Sequence, residues 1–462
     1  MKKTQNKLKI GMRMQLTIKR MGINGEGIAY YQNTLIFIPQ ALPGEIILGE
    51  ITAITHNFCR ARLLQIIRSS KLRNPNPPQL FGQVGGLELA HLSYPQQLKY
   101  KRLMVTEALR HFRPQGYRSY LVKSTIKADN PWHYRNKAQF QLRQKKGKLI
   151  CGLYQTGTHQ VVDSLDIPTQ RPLTLQILQS LLPIIEELQI PIYDPHSHSG
   201  IIKTLVVRES VAYQQAQLTF ITNSRKLPHK SQLIAQIKQK IPAVISIAQN
   251  FNPQTTGPLW GAETTILWGD NYLREKIGDY DFFLSPAAFF QLNPEQTTKL
   301  YQIATAALNP QTTDIVVDAY AGVGTIGISL AQQVQQVLGA EIIPAAVKDA
   351  QLNLRQNHIT NASYQVGAVE KLYPQWLQQG IQPTALIVDP PRSGLTQEFI
   401  KFIQQSQPAK FVYISCNPAT LARDLKYLTS FYHVDWLQPL DMFPQTPQVE
   451  VITKLSQRFS KT

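Results

Sequence analysis

Four stretches in the last third of this 462-residue chain combine reactive side chains with backbone features that expose them. The first runs Asp314-Ile-Val-Val-Asp-Ala-Tyr320-Ala-Gly322-Val-Gly324-Thr-Ile-Gly327, a strand pattern, a glycine turn and a helix start. Glycines let backbone approach a ligand closely, and a helix start favours negative groups. Glu341 follows 17 residues after Gly324 and suits a ribose diol, whether of a dinucleotide or of S-adenosylmethionine (SAM). The second is Asp389-Pro390-Pro391-Arg392-Ser393-Gly394, which sets a carboxylate on a stiff backbone at a strand end. The third, Ile414-Ser415-Cys416-Asn417-Pro418, places a cysteine between a strand end and a helix start, where the helix dipole is expected to lower the thiol pKa. The fourth, Asp441-Met-Phe-Pro-Gln-Thr-Pro-Gln448-Val-Glu450, leads into the last strand pattern. Beside a nucleophilic cysteine, Glu450 becomes a candidate general base.

The elements that must position these groups are legible as strand and helix alternation from residue 314 onward. Strands are expected at 314–319, 336–341, 363–367, 384–389, 410–415, 432–437 and 449–455, with helical patterns between most of them. This is the pattern of a doubly wound parallel sheet, whose ligands bind beyond the carboxyl ends of the strands. The last two strands have no helix between them, so the final one is expected to be antiparallel.

Upstream, residues 8–68 read as short strands with glycine turns, a small OB-like β-barrel. Gly25-Glu26-Gly27-Ile28-Ala29 and Ala41-Leu42-Pro43-Gly44-Glu45 resemble a TRAM domain, a barrel found on RNA-modifying enzymes. Residues 69–80 are a proline-rich linker, 93–112 look helical, and 120–275 mix strand and helix signals. The basic run Arg143-Gln-Lys145-Lys146-Gly147-Lys148 reads as a hairpin tip, with RNA contact as its sharper reading. The expected organisation is multidomain α/β: a barrel at 1–68, a linker and central α+β domain at 69–275, and a Rossmann-like domain at 276–462.

Composition narrows the function classes. Hydrophobic residues make up 43% and charged residues 17%, which is globular. No apolar run is long enough for a transmembrane helix, and the basic start, Met1 to Lys7, has no apolar segment after it. Three cysteines (Cys59, Cys151, Cys416) cannot build a disulfide framework, so a cytoplasmic setting is expected, with Cys59 and Cys151 structural. The net charge of +19 is concentrated: residues 1–150 hold 26 basic and 6 acidic residues, and the remainder holds 22 and 23. A polyanion partner, RNA rather than a membrane surface, is the expectation, since the basic residues are scattered among strands and not gathered on an amphipathic helix.

Taken in order, these motifs closely resemble those of the RNA uracil-5-methyltransferases, and the TRAM resemblance points to the ribosomal members, the 23S rRNA (uracil-5-)-methyltransferases. Leu284-Ser-Pro-Ala-Ala-Phe289-Phe290-Gln291-Leu-Asn293-Pro294 is similar to that family's SPxxFFQxNP segment, and Gly200 to Arg208 to its central strand. The resemblance implies Cys416 as nucleophile and Glu450 as base, with SAM contacts from Gln291, Tyr320, Glu341 and Asp389 around the turn at Gly322 and Gly324. It implies RNA as partner, with transfer RNA a lesser expectation than 23S rRNA, and no required protein partner or membrane. Many members carry an iron–sulfur cluster on four cysteines. Pro78, Val84, Leu87 and Ile167 stand at those positions here, so no cluster and no metal are expected. Gln448 stands where members usually have His, and Ala368 where an acid commonly lies near the adenine. A dehydrogenase has no need of Asp389, a cytosine-5 methyltransferase would want a cysteine where Arg392 stands, and a silent RNA-binding protein would not need Cys416 and Glu450 together.

Overall fold

The computed structural model describes residues 8–458, so the basic start at 1–7 lies outside the described residues. Six strands, β1 (Arg13–Thr17), β2 (Arg20–Met21), β3 (Gly27–Tyr31), β4 (Thr34–Ile38), β5 (Ile46–Ile54) and β6 (Phe58–Arg68), form one sheet in the order β1-β5-β6-β4-β3-β2. β1 also approaches β3, so the sheet curls on itself as expected for a barrel. Strict alternation along β5 sends Ile47 and Ile51 into a core with Leu16, Ile36, Ile38 and Cys59.

Helix α1 (Tyr94–Phe112) buries Gln97, Tyr100, Lys101, Val105 and Leu109, a stripe at helical spacing that includes two polar residues. Tyr100 faces the barrel, where its hydroxyl accepts from the Gly25 N–H at 3.2 Å and donates to the Gly22 carbonyl. Val105 and Leu109 join the core of the C-terminal sheet. One helix therefore ties the two together.

The central sheet uses β7 (Lys137–Lys145), β8 (Lys148–Tyr154), β9 (Val161–Asp163), β10 (Ile202–Ser210), β11 (Gln215–Thr222), β12 (Val244–Phe251) and β13 (Glu263–Gly269) in the order β13-β12-β11-β10-β7-β8-β9. Helices α2 (Pro172–Glu187) and α3 (Lys230–Lys240) supply Leu178, Leu181, Leu233 and Ile237 to its core. β7 and β8 form the expected hairpin, with Lys146 (φ 51°) and Gly147 (φ 78°) as the two-residue turn. Positive φ at both turn positions matches the twist of the strands. Cys59 and Cys151 are both buried among apolar neighbours, as expected of structural thiols.

A hairpin of β14 (Leu273–Ile277) and β15 (Tyr280–Leu284) leads to α4 (Pro294–Leu308) and then to the third sheet. That sheet holds β16 (Ile315–Ala319), β17 (Gln336–Glu341), β18 (Ala362–Val366), β19 (Ala385–Val388), β20 (Lys410–Ser415), β21 (Tyr432–Leu440) and β22 (Glu450–Gln457). Its order is β18-β17-β16-β19-β20-β22-β21, with all neighbours parallel except at β22. The near-continuous apolar strands are buried on both faces by α5 (Thr325–Leu330), α6 (Pro344–Gln356), α7 (Val369–Gln378), α8 (Gln397–Ser406) and α9 (Pro418–Leu428). The seven strands lie within three residues of the positions expected from sequence, and β22 is antiparallel as anticipated.

Candidate active site

Strand order reverses between β16 and β19, and the crevice beyond the carboxyl ends of the strands at such a reversal is where open α/β sheets bind their ligands. The glycine turn fills one side. Gly322 (φ 56°) and Gly324 (φ 84°) take left-handed backbone, and a Cβ built on Gly322 meets nothing within 4 Å, so the ligand side is open. Beneath the turn the space is closed: Gly327 donates its N–H to Asp318 at 2.9 Å, and the Tyr364 hydroxyl donates to the Gly324 carbonyl at 3.1 Å. Burial pushes the Asp318 carboxyl up to about 7.

Glu341 ends β17 and accepts from the Gly322 N–H at 3.0 Å and the Ile343 N–H at 2.9 Å. Each oxygen keeps a free lone pair, so the carboxylate can still receive a ribose diol. Ile342, Ile343 and Val366 are exposed beside it, and Val366 pairs with Glu341 across the strands. Three exposed apolar side chains around one carboxylate suit an adenosyl group, and sequence reasoning missed them because Ile342 and Ile343 follow β17 while Val366 ends β18, and only strand pairing brings them together. Together, the open turn, the carboxylate and this apolar patch fit SAM.

Tyr320 lies at φ 64° and turns its ring to the opposite face of the sheet, edge-on to Phe399, with its hydroxyl 3.4 Å from Glu370. Ala368 precedes α7 and offers no side-chain cap, while Glu370 in the first helical turn accepts from the Thr396 hydroxyl at 2.8 Å. Gln291 is anchored by its backbone, where its carbonyl accepts from the Asn136 amide at 3.3 Å. The rest of that segment is pinned from both sides: Ser285 bonds Asp349 of α6, and Arg208 of β10 donates to the carbonyls of Ser285 and Ala288.

The reactive pair comes from β20 and β22. Ser415, the last residue of β20, pairs with Val451, the residue after Glu450, so Cys416 and Glu450 leave the end of the ladder side by side. A glutamate at the beginning of a strand reaches the carboxyl edge of the sheet only because that strand runs backward. Asp389 directly follows β19 beside them, and the 389–394 loop is tied to the start of α9: the Asn417 amide and the Thr420 hydroxyl donate to the Arg392 carbonyl at 3.0 and 3.2 Å.

Electrostatics corrects one expectation. The Cys416 thiol is pushed up to about 12 and not lowered. Burial is the larger cause, and the carboxylates of Glu450 and Asp389 add to it, with Arg392 opposing. Burial raises both carboxyls as well, and Asp389 raises Glu450 further, against the pull of Arg392 and Lys101. Lys101 is a further residue that sequence reasoning missed. It is fully buried on α1, paired with Asp441, and donates to the Phe443 carbonyl at 3.0 Å. A lysine within the buried stripe of α1 was the available signal. Next to it, Gln97 exchanges bonds with Gln445 at 2.9 and 3.0 Å, so α1 fixes the loop that delivers Glu450. Gln448, the departure in that loop, is exposed.

At the four positions implied for an iron–sulfur cluster, the residues do not fit one. Val84, Leu87 and Ile167 are buried in one apolar core with Leu80 and Ala90, and Pro78 offers no ligand atom.

A doubly wound sheet with a glycine turn, a strand-end acid and a cysteine–glutamate pair, carried behind an N-terminal barrel, defines a Rossmann-like methyltransferase with an added RNA-binding module. The chain belongs to the tRNA (uracil-5-)-methyltransferase family, SAM-dependent enzymes acting on RNA, whose model matches residues 93–458; a TRAM domain matches residues 7–64. An uncharacterized RNA methyltransferase of Lactiplantibacillus plantarum is 48% identical over 456 residues, which cover 99% of this chain and 95% of the relative. One of Enterococcus faecalis is 45% identical over 98% of this chain and 100% of its own. Among solved structures, the Pyrococcus abyssi tRNA (uracil-54, C5)-methyltransferase in complex with S-adenosyl-L-homocysteine is 26% identical with a TM-score of 0.77. That match covers 96% of this chain and 99% of the other.

Proposed function

We propose that this protein methylates carbon-5 of uridine in RNA, with 23S ribosomal RNA as substrate, through a covalent bond between Cys416 and carbon-6 of uracil. The observation that carries the reading is that Cys416, just past the end of β20, lies close enough to Glu450 and Asp389 for both carboxylates to act on its thiol. Carbon-5 of uracil is a poor nucleophile. The Cys416 thiol gives its proton to the neighbouring Asp389 carboxylate, which leaves Glu450 free as base, and Sγ then adds to carbon-6. The electron pair of the 5,6 double bond moves into an enolate, which makes carbon-5 nucleophilic. When bound, SAM supplies an electrophilic methyl group to that carbon. Glu450 then takes the carbon-5 proton, the freed pair restores the double bond, and Sγ leaves as thiolate. Gly322, Gly324, Glu341, Asp389, Gln291 and the backbone of Tyr320 are the groups assigned to holding the cofactor. The target base must leave its stack, at a cost of a few kcal/mol. Phosphate contacts from the basic first third offset that cost.

The ribosomal assignment rests on the TRAM resemblance. Transfer RNA is the second reading, favoured by the substrate named for the Pyrococcus abyssi enzyme, whose match to this chain extends over the barrel. Mass spectrometry of nucleosides from separated 23S rRNA and tRNA, deletion strain against wild type, decides between them. Loss of 5-methyluridine from a 23S position is the expected outcome. Loss from tRNA alone overturns the ribosomal reading, and loss from neither overturns the reaction. A cytoplasmic location goes with this reading.

A further inference from the structure

A concavity lies against the segment that carries Gln291. It measures about 440 Å³, within the range of small-ligand sites, and its walls come from β7, β8, the loops at 85–86 and 167–170, and residues 289–292. Its chemistry is unbalanced in a specific way. Arg135 and Lys137 line it and no carboxylate does. Lys137 is packed near Arg208 with its ammonium 5.4 Å from the Trp260 ring, and burial and Arg208 push its pKa down to about 6. An anion arriving between Arg135 and Lys137 would favour the charged form of this lysine and so bind as its counter-ion. Gln170 lines the same groove and is 3% exposed, and its Oε1, closed off from solvent, has no hydrogen-bond partner. An orphaned buried acceptor is costly unless a donor arrives. At the rim, Phe289 is 67% exposed and Tyr154 37%, both unusual for large aromatic residues on a soluble surface.

We propose that this groove binds a second, non-target nucleotide of the RNA strand: its phosphate between Arg135 and Lys137 and its ring face on Phe289, with a small shift of Gln170 bringing Oε1 to a base-edge N–H. Single-stranded nucleic acid is commonly held by such a combination of cations and stacking aromatics. The position explains a requirement of the reaction. Extracting one uridine leaves its neighbours without stacking partners, and a site one segment away from the crevice can hold one of them. Asn136 stitches the two sites together, since its N–H donates to the Leu292 carbonyl at 3.0 Å and its amide to that of Gln291. The inference rests on the RNA reading above.

The test uses the full chain saturated with S-adenosylhomocysteine and a fluorescent, mixed-sequence, single-stranded RNA of about 12 nucleotides, read by anisotropy over a salt series. Phe289→Ala weakens binding by about fivefold or more, the low end of losing one stacking ring. Lys137→Gln weakens it too and makes the log–log salt slope shallower by about 0.7, the loss of one phosphate contact on a single strand. Lys230→Gln, at an exposed lysine that starts α3, leaves binding within about twofold and accounts for generic charge loss. Melting curves and S-adenosylhomocysteine affinity confirm that each variant is folded. Phe289→Ala and Lys137→Gln both binding like wild type overturns the groove. Methyl transfer to uridine, assayed separately, keeps the two readings apart. Groove-dependent binding without 5-methyluridine sinks only the reaction, and 5-methyluridine formation with groove variants that bind normally sinks only the groove.

Discussion

Cys416 and Glu450 were legible from their motifs, but the electrostatics of the pair was not. The helix that starts at Pro418 is visible in the sequence, and its dipole argues for an acidic thiol. The opposing charges, Glu450 and Asp389, come from two other strands and are adjacent only in the folded sheet. Burial and these carboxylates win over the dipole. With its pKa raised from the usual 9.0 to about 12, the ligand-free thiol is almost wholly protonated at pH 8. We therefore expect iodoacetamide to alkylate Cys416 at pH 8 at least about tenfold more slowly than a small free thiol. Cys59 and Cys151 are buried and do not compete. Glu450→Gln removes a negative neighbour, so the thiol pKa falls and alkylation speeds up at the same pH. If the same variant then accumulates a denaturant-resistant adduct with RNA, Glu450 is also the base that permits elimination. Free-thiol reactivity in the wild type, or slower labelling in the variant, would contradict the charge arrangement described for this site.

At the scale of elements, the strands of the C-terminal sheet were readable because parallel strands buried on both faces form short apolar runs between helices. Helix α1 was readable as a helix, but its task was not. Its buried face mixes Val105 and Leu109 with Gln97 and Lys101, and only the fold shows that these polar residues meet Gln445 and Asp441, more than 300 positions away. Lys101 and Asp441 are both fully buried, so removing one partner strands the other's charge. Lys101→Met is expected to destabilise the protein by about 3 kcal/mol or more, read as a fall in the urea midpoint. Lys101→Met/Asp441→Leu removes both charges and recovers most of that loss. Activity separates the two roles of Lys101. Its charge holds the Glu450 pKa down, so both variants raise that pKa further. A base works only above its pKa, and the acidic limb of the pH–rate profile therefore moves to higher pH in both. Recovery of stability without recovery of the limb is the expected outcome. A limb unmoved in the stable double variant removes Lys101 from any influence on the base.

At the scale of the whole molecule, charge and chemistry are divided along the chain. The first 150 residues carry 26 basic and 6 acidic residues, and the rest carries 22 and 23. That division was legible by counting, but sequence could not show which cations are free to meet a polyanion. In the fold, Arg13 and Arg62 both pair with Glu50, and Arg73 pairs with Glu45, so part of the excess is already engaged. At the tip of the β7–β8 hairpin, Lys145, Lys146 and Lys148 are all exposed and point away from the sheet core on a tight two-residue turn. Neutralising these three to Gln is expected to raise KM for RNA by about tenfold near physiological salt while leaving kcat unchanged, because phosphate contacts position the strand without touching the reacting atoms. The effect shrinks as salt is raised, since counter-ions already cover the phosphates. The comparison is a triple Gln variant at Lys348, Lys371 and Lys401, which are equally exposed but lie on helices of the catalytic sheet. Both variants lose three positive charges, so a response to net charge alone raises KM equally in the two. A rise confined to the hairpin variant shows that the strand runs over the central sheet on its way to the crevice, past the groove between Lys137 and Phe289.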